Sequence, residues 1–173
     1  MANLKLIFLG TSASIPTISR GLSSVALLRD GELFLFDAGE GVQRSFSKAK
    51  IGFNRKMKIF ISHLHGDHCV GLLGLLQTMS MLKRDKPLTV YGPQGLLGFL
   101  RNNIRSLKFG LTFTLEVKIV REGVVVESGD YVIKACIGKH GMKNFVYSLE
   151  EKDRPGVFDP EAAKKLRIPK GIL

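Results

Sequence analysis

The segment His63-Leu64-His65-Gly66-Asp67-His68 places three imidazoles and one carboxylate within six residues, and the fourth histidine stands in Gly138-Lys139-His140-Gly141. A lone histidine is ordinarily a satisfied core or surface residue. Three on one short stretch, beside a carboxylate, concentrate polar groups whose lone pairs a divalent metal takes up. On an irregular loop, His63 and His65 can face one centre while Asp67 and His68 face another. Paired centres suit phosphodiester hydrolysis, because they brace both the attacking and the leaving oxygen. Imidazole with carboxylate suits Zn2+ best, and Mn2+ and Fe accept the same ligand types.

The flanking elements must hold that segment. Lys58-Ile59-Phe60-Ile61-Ser62 reads as a short buried strand running straight into His63, and the Leu- and Met-rich stretch from Val70 to Leu82 reads as a buried helix. Upstream, Leu4 to Leu9, Ser24 to Leu28 and Glu32 to Phe36 read as strands, the last two joined through an Asp30-Gly31 hairpin. Val42 to Lys50 reads as a helix. Downstream, Leu88 to Tyr91 is a strand, Gln94 to Ser106 a helix, and Thr112 to Arg121, Gly123 to Glu127, Tyr131 to Ile137 and Phe145 to Leu149 further strands. Asp159 is placed to cap a short helix from Pro160 to Leu166. Strands and helices mixed with hairpins predict an α/β sandwich of mixed sheets.

The chain has 173 residues, which fits one domain or one domain with an appendage. No run of about 18 uncharged apolar residues occurs, which excludes a standard membrane span. The first residues lack the pattern of a secretory signal, and Cys69 and Cys136 make no disulfide framework, so both are expected as small core residues and the chain as cytoplasmic. The formal charge is +11. Arg44, Lys48, Lys50, Arg55, Lys56 and Lys58 form one basic cluster, and Lys164, Lys165, Arg167 and Lys170 another. Two separated clusters suit a polyanion better than a small acidic metabolite.

The histidine segment resembles the HxHxDH signature of the metallo-β-lactamase superfamily. Phe8-Leu9-Gly10-Thr11-Ser12-Ala13-Ser14-Ile15-Pro16-Thr17, Phe36-Asp37-Ala38-Gly39-Glu40-Gly41 and Tyr91-Gly92-Pro93-Gln94-Gly95-Leu96 are similar to motifs of tRNase Z, the endoribonuclease that removes 3′ trailers from precursor tRNA. The resemblance implies a metallo-β-lactamase-like αββα sandwich, of which this chain is the N-terminal half with a mixed β-sheet and the second half is absent. It implies zinc bound by His63, His65 and His140 at one centre and by Asp67 and His68 at a second, with Asp67 also the catalytic group that positions or deprotonates the attacking water. Asp37 would orient the loop from behind the ligands, and Thr11 and Ser12 would line the cleft near RNA phosphate.

Residues 1–149 then form the half-domain, and 150–173 begin a protruding tRNA-binding arm that uses Arg154, Lys164, Lys165, Arg167 and Lys170. The family draws a bridging Asp and a final His from its second half, and this chain has no histidine after His140. An incomplete, weakly active or inactive enzyme is therefore expected, its uncovered apolar surface met by a homodimer or by the missing half, with no membrane partner. The alternatives are a non-catalytic metal- and RNA-binding remnant and a small-molecule metallohydrolase of the same superfamily.

Overall fold

The computed structural model describes residues 3–153 and 158–169. In chain order the elements are β1 Leu4–Gly10, β2 Ser24–Arg29, β3 Glu32–Phe36, α1 Val42–Lys48, β4 Met57–Phe60, α2 Gly66–Cys69, α3 Gly71–Met81, β5 Leu88–Gly92, α4 Leu96–Ser106, β6 Leu115–Ile119, β7 Gly123–Glu127, β8 Tyr131–Gly138, β9 Asn144–Glu151 and α5 Pro160–Lys165. The first six strands form one sheet in sequence order, and β7, β8 and β9 form a second. In the first sheet β1 and β3 are both antiparallel to β2, and β3 to β6 run parallel. The second sheet is antiparallel throughout.

Alternation along β3 and β4 divides two cores. Leu33, Leu35, Ile59 and Ile61 face one way and pack with Phe46 of α1, Leu72, Leu75, Leu76 and Met79 of α3, and Leu96 and Leu100 of α4. Phe34 and Phe60 face the other way and pack with Tyr131, Ile133, Ala135 and Phe145 of the second sheet. Strands covered on both faces must be apolar at every position, which is why Leu33-Phe34-Leu35-Phe36 carries no polar residue. The Asp30-Gly31 hairpin forms as expected, with positive φ at both residues (45° and 86°).

The mixed α/β architecture matches the sequence expectation, with differences in detail. The histidine segment is not all irregular loop: Gly66–Cys69 forms the short helix α2, so the expected single helix from Val70 begins as two. Strand β4 ends at Phe60, and Ile61 and Ser62 continue outside the strand, because the chain must turn to present His63. Cys69 is buried as expected, but Cys136 is exposed, since no described helix covers the outer face of the second sheet. That sheet also leaves Leu4, Leu6 and Phe8 of the edge strand β1 uncovered at 48%, 53% and 66% exposure, an apolar stripe continuing the inter-sheet face. Strand β9 runs to Glu151 and closes the second sheet. Among the described residues, no helix is long and apolar enough to cross a membrane.

One polar cluster sits between the sheets. The buried Glu32 carboxylate pairs with Lys58 and accepts a hydrogen bond from the Tyr131 hydroxyl at 3.1 Å, while the Lys58 ammonium also donates to that hydroxyl at 3.1 Å. Burial pushes the Glu32 carboxyl up, but Lys58, Lys56 and Tyr131 together hold it below its ordinary value. Such a depressed carboxylate stabilises the fold above its unfolded pKa, and the contribution disappears as the pH falls through the folded pKa. Glu32→Gln is expected to cost about 3 kcal/mol near neutral pH, because it strands a half-buried ammonium. Urea unfolding measures this, and the gap to the unsubstituted chain is expected to close on acidification.

Candidate metal centre

Strands β1, β3, β4, β5 and β6 point the same way, so their C-terminal ends line one edge of the sheet, the edge where open α/β sheets carry ligands. Asp37 leaves β3 there and Ser62-His63 follow β4. Asp37 has a left-handed backbone (φ 57°), a conformation that aspartate tolerates better than most residues. Its amide donates to Phe60 O at 2.8 Å, and the next amide, of Ala38, donates to His68 O at 2.8 Å. Gly39 N donates to the buried Ser24 hydroxyl at 2.9 Å. Gly71 packs flat on this loop: a Cβ there would meet Gly39 O at 1.9 Å, so only glycine allows the approach.

The side chains then converge. His63 Nε2 lies 3.0 Å from His65 Nδ1, and His140 Nε2 lies 3.2 Å from the same atom. One ligand nitrogen from each of the three rings lies within 4.8 Å of the others. Ligands at zinc–nitrogen distances in a tetrahedron stand about 3.3 Å apart, so the donor set has the right chemistry and spacing for such an ion. His63 is buried, whereas His65 and His140 are exposed, which leaves the cluster open on one side. Burial and the neighbouring imidazoles lower the His63 pKa, keeping it neutral and its lone pair available.

His68 and Asp67 stand beside this trio without joining it. His68 Nδ1 meets Asp37 Oδ2 at 2.6 Å, which turns Nε2 towards Asp67 Oδ2, 3.5 Å away. The hydrogen bond to Asp37 raises the His68 pKa despite its burial. Asp67 Oδ2 accepts from the Ser14 amide at 2.9 Å, tying the 11–18 loop to the site; burial pushes this carboxyl up, but Ser14 and His68 outweigh it and lower the pKa. Asp37 also accepts from Ser62 N at 2.7 Å and Ser62 Oγ at 2.9 Å.

Ser62 was not foreseen from the sequence. Its hydroxyl lies 2.9 Å from His63 Nδ1 and so links Asp37 to the ring, an arrangement that sets which nitrogen faces the centre. Its only signal was its place directly before the first histidine. Of the expected cleft residues, Thr11 is exposed, while the Ser12 hydroxyl donates to Ile15 O at 2.6 Å within its own turn. Lys164, Lys165 and Arg167 lie exposed on and just after α5, away from any described contact with the cluster; Arg154 and Lys170 lie outside the described residues.

Comparison with known proteins identifies the family. A family model described as Anti-Pycsar protein Apyc1 matches residues 4–153. The chain belongs to that family. Its curated relatives carry the name Ribonuclease Z, and the tRNase Z motifs read in the sequence are borne out by them. One, from Nitrosopumilus maritimus, is 50% identical over 170 residues, covering 98% of this chain and 57% of the relative. Another, from Trichodesmium erythraeum, is 41% identical over 172 residues and covers 98% and 54%. The chain thus spans little more than half the length of these relatives. The solved structure of human tRNase Z, short form, superposes with a TM-score of 0.80 at 34% identity, covering 86% of this chain and 66% of that one. A metallo-β-lactamase fold protein from Bacillus subtilis, 16% identical with a TM-score of 0.65 over 84% of this chain and 57% of its own, shares the fold.

Asp37→Asn removes the anion that favours protonated His68. In metal-free protein, NMR titration is expected to show the His68 pKa falling towards the ordinary imidazole value. A raised histidine pKa stabilises the fold below the unfolded value, and that contribution is lost as the pH rises through the folded one. The stability difference between the variant and the unsubstituted chain is therefore expected to narrow across that interval.

Proposed function

We propose that this chain is the part of a tRNase Z-type endoribonuclease that carries the histidine centre, a hydrolase that removes the 3′ trailer of precursor tRNA. The observation that carries the reading is the convergence of His63 Nε2, His65 Nδ1 and His140 Nε2 beside Asp67 on the ligand-bearing edge of the sheet. The names of the relatives and the basic charge support it. The resident metal is zinc, held at one centre by His63, His65 and His140 and at a second by Asp67 and His68. When bound, it supplies Lewis acidity at the scissile phosphodiester.

The chain's own groups do the rest. Asp67 orients the attacking water and takes its proton, the carboxylate being fixed in place by the Ser14 amide at Oδ2. Asp37 holds His68 through Nδ1, so that Nε2 serves the second centre. Thr11 and Ser12 border the path of the RNA phosphate. Residues 1–149 form the half-domain, and 150–173 begin the arm, where Arg154, Lys164, Lys165, Arg167 and Lys170 meet the tRNA backbone by charge rather than by base. The substrate places the protein in the cytoplasm. A second copy or a further αβ half covers Leu4, Leu6 and Phe8, and the chain by itself fills one centre and cleaves slowly.

A precursor tRNA labelled in its trailer, incubated with zinc-replete protein, tests this reading; release of the intact trailer is the expected result. Salt-sensitive tRNA binding with uncut trailers would instead mark a non-catalytic remnant. Hydrolysis of a lactone or thioester without tRNA affinity would mark a small-molecule metallohydrolase. His65→Ala is expected to abolish stoichiometric metal uptake, measured by elemental analysis, while the unfolding transition persists. Retained stoichiometric metal would overturn the ligand assignment.

A further inference from the structure

We infer that a cavity farther along the same sheet edge is a phosphodiester subsite for the nucleic-acid strand, read by Arg121, Lys143 and Gln94. This rests on the nucleic-acid reading above and extends it. The cavity has a volume of about 420 Å3 and is lined by Gln94, Ile119, Val120, Arg121 and Lys143. Gln94 follows the end of β5 and Arg121 the end of β6, and these strands are the first and second neighbours of β4, which delivers His63. At about 4.8 Å between strands, the cavity begins roughly 10 Å from the histidine centre.

Two hydrogen bonds tie it rigidly to that centre. Val120 N donates to Gly92 O at 2.8 Å, fixing the cavity floor to the end of β5. Phe145 N donates to Ser62 O at 3.0 Å, pinning the segment that carries both His140 and Lys143 against the residue before His63. The Lys143 ammonium sits over the Phe145 ring, 5.6 Å from its centroid, a cation–π contact that holds this exposed side chain beside the second sheet.

The charge here is not neutralised. Among the described residues, neither Arg121 nor Lys143 has a carboxylate within 4.0 Å, whereas nearby Lys118 pairs with Glu116 at 3.3 Å and Lys134 with Glu150 at 2.6 Å. An exposed guanidinium, an ammonium and a side-chain amide around one hollow supply the donors that phosphate oxygens take, the guanidinium in its two-pronged geometry.

A strand fits better than a free phosphate because the cations continue past the centre. On its other flank, beyond β3, the cavities between the 16–21 loop and α1 are lined by Arg20, Arg44 and Lys48. A backbone crossing the strand ends in order meets positive charge on both sides of the histidines.

The test compares Arg121→Ala/Lys143→Ala with Lys5→Ala/Lys86→Ala, which removes the same charge at the opposite sheet edge. Binding of a fluorescent 3′-extended tRNA is measured by anisotropy over a salt series. The first pair is expected to weaken binding at least about tenfold at low salt and to flatten the log–log salt slope by about 1.4 to 1.8, as two lost phosphate contacts require. Metal content and unfolding midpoint are expected to stay unchanged, and the control pair to shift affinity far less. Equal losses in both pairs, or undiminished affinity in the first, overturn the subsite and leave the nucleic-acid reading standing. Failure of the unsubstituted chain to bind the transcript overturns both. Loss of inorganic phosphate binding without loss of RNA binding reassigns the cavity to a small anion and overturns the proposal.

Discussion

The geometry of the site depends on one carboxylate. Asp37 occupies a left-handed turn at the end of β3, where it accepts hydrogen bonds from Ser62 N and Ser62 Oγ and meets His68 Nδ1. These contacts join the end of β3, the end of β4 and helix α2, three pieces that sequence separation would otherwise leave independent. A buried carboxylate with these partners is stable only when all of them are in place, because each missing partner leaves an unsatisfied charge. The same contacts set ring orientation: His68 presents Nε2, and the Ser62 hydroxyl at His63 Nδ1 leaves Nε2 facing the centre. Ring orientation thus follows from a network anchored behind the imidazoles.

That network works because the sheet supporting it is packed on both faces. Helices α1, α3 and α4 cover one side and the antiparallel β7–β9 sheet covers the other. Parallel strands buried in this way end together, so loops from distant parts of the sequence meet at one edge. His140 arrives from the second sheet, held by the β9 contact to Ser62. Closing the trio therefore requires the two sheets to dock correctly, and the Phe34, Phe60, Tyr131 and Phe145 layer between them contributes to the geometry of the histidine cluster as much as to stability.

The exposed features follow from the same packing. The second sheet is narrower than the first, three strands against six, so it leaves the inward face of β1 without a cover. Leu4, Leu6 and Phe8 lie there, and the exposed Cys136 lies on the sheet's outer face.

Much of this was determined by the sequence alone. Unbroken apolar runs marked the buried strands, the Asp30-Gly31 turn marked its hairpin, and the histidine spacing marked the metal chemistry, because each depends on neighbours a few residues apart. The helical turn at Gly66–Cys69 was hidden by its shortness and by Gly66 at its start. Cys136 was misplaced because burial depends on what covers a sheet, which no local pattern records. Only the tertiary structure decided which imidazole nitrogens face each other, that Ser62 links Asp37 to His63, and that Arg121 and Lys143 share a cavity. Those facts join residues tens of positions apart, and their distances are set by the docking of whole sheets.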